Sequence, residues 1–193
     1  DLLGVVVGSE GTLGIVTEIT LGLLPVPEAV ETLVAGFPSP ERAGEAVSAI
    51  IASGITPAAI EMMDRLTIGV ARDFAGAPYP DCAALLLVEL DGPAAEVASA
   101  LAACSGICTA AGAGEVVVAQ DAAERARLWK GRKAAFPAMG KLSPSYYVQD
   151  GVIPRTRLPE VLAGIEELSA SYGLRVGNVF HAGDGNLHPL VLY

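Results

Sequence analysis

Between Glu31 and Ala119 the sequence switches repeatedly between short apolar runs and helix-like segments, and that alternation constrains the fold more than any single motif. Glu31–Phe37 (ETLVAGF) reads as a strand. Pro38-Ser39-Pro40 opens a helix from about Glu41 to Ser53, and Gly54 stands where a glycine ends a helix. A short strand, Ala59–Met63, leads into a helix from about Asp64 to Asp73, and Ala75–Asp81, with its two prolines, is a loop. Ala83–Leu90 (AALLLVEL) is a buried strand, Pro93 starts a helix to about Cys104, and Glu115–Ala119 is a further strand. The order strand, helix, strand, strand, helix, strand is that of a βαββαβ ferredoxin-like unit.

The order partly recurs. Asp121–Met139 reads as a helix, Tyr146–Ile153 as a strand, and Arg157–Tyr172 as a helix with Gly173 at its end. Arg175–Phe180 and Leu187–Tyr193 read as strands. The expected fold class is α+β: an antiparallel sheet with helices on one face, in a duplicated ferredoxin-like arrangement.

Composition narrows the partners. The chain is 52% hydrophobic with a formal net charge of −10, which speaks against general nucleic-acid binding or binding to anionic membranes, since both need a positive field. No apolar run reaches the ~18–20 residues of a membrane span. Cys82, Cys104 and Cys108 do not make a disulfide framework and have no neighbouring ligands for zinc. They read as small buried hydrophobes, and a cytoplasmic location fits them.

Val5–Ile19 (VVVGSEGTLGIVTEI) suggests a nucleotide loop, but its glycines are spaced G-x-x-G-x-x-G and no helix pattern follows. Ile15–Leu21 is rich in β-branched residues, so the segment reads as strand, Gly-rich turn, strand. From the pattern alone, a hairpin with a long turn is the favoured reading, since turn glycines are common.

The two histidines of the chain, His181 and His188, flank Asp184-Gly185. Asp-Gly between strand-like runs signals a two-residue hairpin turn. That register pairs Gly183 with Asn186, Ala182 with Leu187 and His181 with His188, which places both imidazoles on one face, near enough to share a metal ion. The alternative is a polar turn with two exposed histidines. Asp184 points away, and no third ligand is evident in the chain. A basic cluster, Lys130-Gly131-Arg132-Lys133, lies on a helix. Arg132 offers a bidentate fork for a carboxylate, or else belongs to a solvated face pairing with Glu124.

Three stretches, VVGSEGTLGIVTEI, LWKGRKAAFPAMGKLSPSYYVQDGVIPR and GNVFHAGDGNLHP, together resemble FAD-linked oxidases of the vanillyl-alcohol oxidase type. The nearest branch is that of glycolate oxidase GlcD subunits and D-lactate and D-2-hydroxyglutarate dehydrogenases. The resemblance covers nearly the whole chain. It implies that residues 1–27 are the end of an FAD-binding domain and residues 28–193 a substrate, or cap, domain truncated at its C-terminus. It implies FAD contacts from Gly8, Ser9, Gly11, Thr12, Gly14, Ile15 and Val16. It implies that Arg132 clamps the carboxylate of a small 2-hydroxy acid, and that His181 and His188 hold a divalent metal (Zn, Mn or Fe), with His188 counted among the catalytic residues. The acid would become the 2-oxo acid by hydride transfer to flavin.

Electrons would leave through a partner subunit, an iron–sulfur protein for example, or a quinone, with the protein cytoplasmic or held at the inner membrane through that partner. A homodimer is compatible with the sequence. The family's third metal ligand and base lie in a Glu-His motif beyond Tyr193, so the chain alone is expected to bind no FAD and to be inactive. Phe136, where relatives that take diacids carry polar residues, points to a short monoacid such as glycolate or lactate. The competing class is a non-catalytic ferredoxin-like module that binds a ligand or partner. A hydrolytic metal site is disfavoured, because no H-E-x-x-H arrangement is present.

Overall fold

The computed structural model describes residues 1–193. Its elements, in order, are α1 (Leu2–Val7), β1 (Ala29–Phe37), α2 (Pro40–Ala52), β2 (Ala59–Asp64), α3 (Arg65–Ala75), β3 (Ala84–Gly92), α4 (Ala94–Ala110), β4 (Glu115–Val118), α5 (Ala122–Ala138), β5 (Tyr146–Val148), β6 (Gly151–Val152), α6 (Leu158–Tyr172), β7 (Arg175–His181), β8 (Asn186–Leu187) and β9 (Pro189–Leu192).

The strands form one nine-stranded sheet in the order β4-β1-β3-β2-β7-β8-β6, with β9 beside β7 and β5 beside β9. Every pair is antiparallel. The first four strands stand in the order 4-1-3-2 of a βαββαβ unit, with α3 inserted between β2 and β3. In the second half, β5, β9 and β7 repeat the order of three such strands around α6. Only the first unit has four strands and both helices.

Helices cover both faces of the sheet, which corrects the expectation of one covered face. Leu33, Ala35, Phe37, Leu86 and Val88 face α2, α4 and α6. Val34, Met63, Leu85 and Leu87 face α3 and α5. The cause lies in β3: Leu85, Leu86, Leu87 and Val88 are each fully buried. An unbroken apolar run points side chains to both sides of the pleat, so both sides need a cover.

The N-terminal segment also departs from its reading. Leu2–Val7 is a short helix with Asp1 capping it, and residues 8–28 carry no regular structure, instead of strand, turn, strand. Val7 and Ile15 are 75% and 92% exposed. A strand needs a neighbour for its backbone groups, and here none lies beside these residues, so Val5 and Gly8 bond locally to the Asp1 and Gly4 carbonyls. The expected strand Tyr146–Ile153 is split at Gln149–Asp150, across from the break between β8 and β9 at His188. Pro189, which has no N–H to give the ladder, follows that break.

Two local devices place the helix that bears on the site. Asp121 accepts a hydrogen bond from the Glu124 N–H as the N-cap of α5, and the Glu124 carboxylate reaches back to the Gln120 N–H, one residue before the cap. Gly131 lets α5 press onto the loop after α3: a Cβ there would lie 2.5 Å from Ala77 Cβ and 2.6 Å from Tyr79 Oη. No helix is long and apolar enough to cross a membrane.

Candidate functional site

On the face shared with α5, successive strands carry polar groups at one end of an otherwise apolar surface. Glu61 on β2 is the direct partner of His181 on β7, and both flank Leu87 and Met63 of the core. Helix α5 crosses this face with Arg125, Trp129, Arg132 and Phe136 at helical spacings of four, three and four. The first three each meet a different strand, and Phe136 meets the break between β8 and β9. Arg125 donates to the Val30 carbonyl at 2.8 Å, Trp129 Nε1 to Glu89 Oε2 at 2.6 Å, and Arg132 to Glu61, while Phe136 stands edge-on to His188 with ring centroids 6.0 Å apart.

Glu61 is the centre of the cluster and only 5% exposed. Its Oε2 accepts from Arg132 Nε at 2.9 Å and forms an ion pair with Nη2 at 2.7 Å, and its Oε1 lies 2.8 Å from His181 Nδ1. The His181 and His188 rings are 5.4 Å apart and nearly perpendicular. Beyond them, His188 Nδ1 is 3.5 Å from Asp150 Oδ1. A cavity of about 210 Å³ opens beside His181, lined by Glu61, Arg155, Gly183, Asp184 and Thr56.

Buried groups outside the cluster hold its frame. Asp64 caps α3 and accepts the backbone N–H and side-chain amide of Asn178, at 2.6 and 3.0 Å, three residues before His181. Burial raises its carboxyl above the usual range, against the pull of the hydrogen bonds from Thr67 and Asn178. The Tyr79 hydroxyl donates to the Leu128 carbonyl of α5, and burial pushes it well above the ordinary phenol range, so it stays a donor.

The hairpin register differs from the expected one. His181 pairs with Asn186, and Ala182–Gly185 form a four-residue turn with Gly185 at φ 72°. His181 and His188 are therefore diagonal neighbours on one face instead of direct partners. Arg132 is buried and paired with Glu61, not solvated or paired with Glu124; Lys130 and Lys133 of the same cluster are exposed.

The sequence reading missed Glu61 and Asp150. Alternation along Ala-Ile-Glu-Met-Met places Glu61 on the same side as Met63, and a lone carboxylate at a core-facing position is the signal that could have found it.

The two imidazoles offer two nitrogen donors, and no group of three or more His, Cys, Asp or Glu side chains is placed to hold a metal ion. These residues do not by themselves make a metal centre. At the other end of the chain, Gly8, Gly11, Thr12, Gly14, Ile15 and Val16 are exposed and Ser9 is half-buried. A Cβ on Gly11 or Gly14 would meet nothing within 4 Å, and the N–H groups of Gly14, Ile15 and Val16 donate to nothing in the chain. An open strip of free amides suits a ligand or a strand lying along it.

The comparisons with known proteins agree with this mixed helix and antiparallel-sheet fold. The family described as "FAD linked oxidases, C-terminal domain" matches residues 26–193, and the chain belongs to it. The glycolate oxidase subunit GlcD of Escherichia coli K12 is 55% identical over the whole chain, and that of Bacillus subtilis 39% identical over 98% of it. A probable mitochondrial D-lactate dehydrogenase of Danio rerio is 32% identical over the whole chain. The chain spans 39%, 40% and 39% of these relatives. Among solved structures, an alkyldihydroxyacetonephosphate synthase matches with a TM-score of 0.69 at 19% identity over 97% of this chain and 40% of that one. A p-cresol methylhydroxylase matches with a TM-score of 0.60 at 13% identity, over 89% and 40%. These two speak for the fold.

Proposed function

We propose that the chain is the substrate-side part of an FAD-linked dehydrogenase that converts a small 2-hydroxy acid, glycolate or D-lactate, to the 2-oxo acid. The observation that carries this reading is the Arg132–Glu61–His181 cluster with His188 beside it, in a chain 55% identical to a glycolate oxidase subunit. Residues 1–27 belong to the neighbouring cofactor domain, and the strip Gly8–Val16 would lie along FAD, which supplies the two-electron oxidant when bound.

The side chains of the cluster take separate parts. Glu61 occupies the Nε edge of Arg132, which leaves the Nη1 donors to clamp a substrate carboxylate. His181 and His188 stand where the α-hydroxyl of a clamped acid is reached, and a neutral imidazole there accepts the hydroxyl proton as the Cα–H bond gives up its electron pair. Apolar Phe136 against His188 favours a short monoacid. A divalent metal would need donors besides the two imidazoles. The relatives' names describe oxidase subunits, and the electron acceptor here is a partner subunit or a quinone, with the protein cytoplasmic or docked at the inner membrane through it.

The test is an anaerobic titration of the full-length protein, following flavin absorbance while glycolate, D-lactate and D-2-hydroxyglutarate are added in turn. Bleaching by a monoacid, lost in Arg132→Met, is the expected result. A colourless protein, or a flavin that none of the acids reduces, favours the non-catalytic binding module.

A further inference from the structure

We infer that Glu61 is a positioning residue that fixes His181 in the Nδ1–H tautomer and, through the same carboxylate, fixes the orientation of Arg132. The inference rests on the reading of His181 and Arg132 as substrate-facing groups, and it assigns a purpose to the one buried carboxylate of that face which the reaction itself does not consume.

The argument begins with donors and acceptors. Glu61 is 5% exposed, and its partners are Arg132 and His181. An ionised carboxylate only accepts, and a guanidinium only donates. Arg132 engages Oε2, by an Nε–H hydrogen bond and the Nη2 ion pair, so Oε1 is left for His181 Nδ1 at 2.8 Å. A lone-pair nitrogen facing that oxygen would put two acceptors in contact and leave Oε1 of the buried Glu61 carboxylate without a donor, at the cost of its desolvation. Nδ1 must therefore carry the hydrogen. In neutral imidazole the other nitrogen, Nε2, then holds the lone pair.

The strand register makes this arrangement rigid. Glu61 and His181 are directly opposed across β2 and β7. Asp64, three residues along β2, grips Asn178, three residues back on β7, so the two strands are tied on both sides of Met63 and Val179. Glu61 therefore acts on the candidate site from behind. His181 meets whatever lies on its free edge as an acceptor, and Arg132 meets it with its Nη1 edge. A carboxylate behind an imidazole is a recurring way of setting which nitrogen faces a ligand.

The two histidines of the 193-residue chain allow a direct reading. Long-range ¹H–¹⁵N correlation spectra of the ¹⁵N-labelled protein, at a pH where both rings are neutral, assign a pyrrole-like or pyridine-like nitrogen to each position. The expected result is a pyrrole-like Nδ1 and a pyridine-like Nε2 for His181. In Glu61→Gln the amide keeps its oxygen toward Arg132 and turns its NH₂ toward His181, so the ring is expected to change to the Nε2–H tautomer. His188, which Glu61 does not touch, keeps its pattern.

A wild-type His181 with Nε2–H overturns the inference outright, whether or not the variant folds. So does a folded Glu61→Gln protein whose His181 pattern is unchanged. The spectra do not depend on turnover. If His181 has the expected tautomer but the full-length protein fails to oxidise any 2-hydroxy acid, the positioning role stands and the functional reading falls.

Discussion

Replacing Arg132 by methionine removes the cation but keeps an unbranched side chain of similar reach. The variant leaves the Glu61 carboxylate 5% exposed, with His181 Nδ1–H as its remaining partner. The charge-assisted hydrogen bond at 2.9 Å and the ion pair at 2.7 Å are lost. Breaking a buried ion pair from one side costs about 3–5 kcal/mol, because the orphaned charge stays desolvated. A chain of this length unfolds with an entropy of roughly 0.4 kcal/mol per kelvin at its midpoint, so the melting temperature should fall by about 7–12 °C. Removing both partners is a different perturbation. Glu61→Leu combined with Arg132→Met buries no charge and is expected within about 1 kcal/mol of the parent, since apolar replacements of buried pairs are often neutral.

The assay is urea unfolding of the parent, both single variants and the double variant, followed by fluorescence. The sole tryptophan, Trp129, lies one turn before Arg132 on α5 and is bonded to Glu89, so its emission reports the packing of this helix. The four free energies close a double-mutant cycle. A coupling below about 0.5 kcal/mol, the usual size for independent sites, or a double variant as unstable as the singles, would refute the claim that these two groups share a buried charge.

Three further outcomes follow from the geometry. Gly131→Ala should cost about 1–3 kcal/mol by calorimetry, because its methyl group meets Ala77 and Tyr79 inside contact distance; an unchanged melting temperature would mean that α5 does not press on that loop. Asp121→Ala should cost about 0.5–2 kcal/mol through the lost cap, and Asp121→Asn should recover most of it. Burial pushes the Cys104 and Cys108 thiols up to about 11 and about 12 from 9.0. The unfolded thiols ionise first, so stability is whole below pH 9 and falls as the pH rises from there toward 11–12. In Cys104→Ala/Cys108→Ala that alkaline fall should flatten, and a thiol reagent at about pH 8, below the ordinary thiol range, should find both groups protected in the native parent and reactive in urea.

What the sequence disclosed and what it concealed divide by the range of the interactions. Helix and strand positions came from local periodicity, and they hold for β1, α2, β2, α3 and β3 to within one or two residues. The covered faces were misjudged where periodicity says least, in the unbroken Leu85–Val88 run. At the site, Arg132 stood out by its cluster and the histidines by their turn. Glu61 did not, because its partners lie 71 and 120 residues away and no local pattern announces a pairing of that range. The N-terminal run Val5–Ile19 shows the converse. Its composition favours a strand, but composition cannot supply the neighbour whose backbone a strand requires, and without one the same residues give a short helix and an extended strip.

The hairpin shows why a wrong register still led to the right face. Two-residue and four-residue turns around Asp184-Gly185 differ by moving the partner of His181 from His188 to Asn186, a shift of two residues. Side chains alternate with a period of two, so a one-residue slip would have sent one histidine to the opposite side of the sheet, and a two-residue slip returns it to the same side. In the longer turn Gly185 stands at the last position with φ 72°, with Asp184 N–H bonded to the His181 carbonyl and Gly185 N–H to that of Ala182. In that register His181 sits opposite Glu61, and His188 falls one step along the strand, within reach of Phe136 and Asp150. The two imidazoles thus keep different carboxylate partners while facing a common space. A two-residue turn at Asp184-Gly185 would set the rings directly opposite, so the turn length sets the spacing between the two imidazoles as well as the fold of the strand.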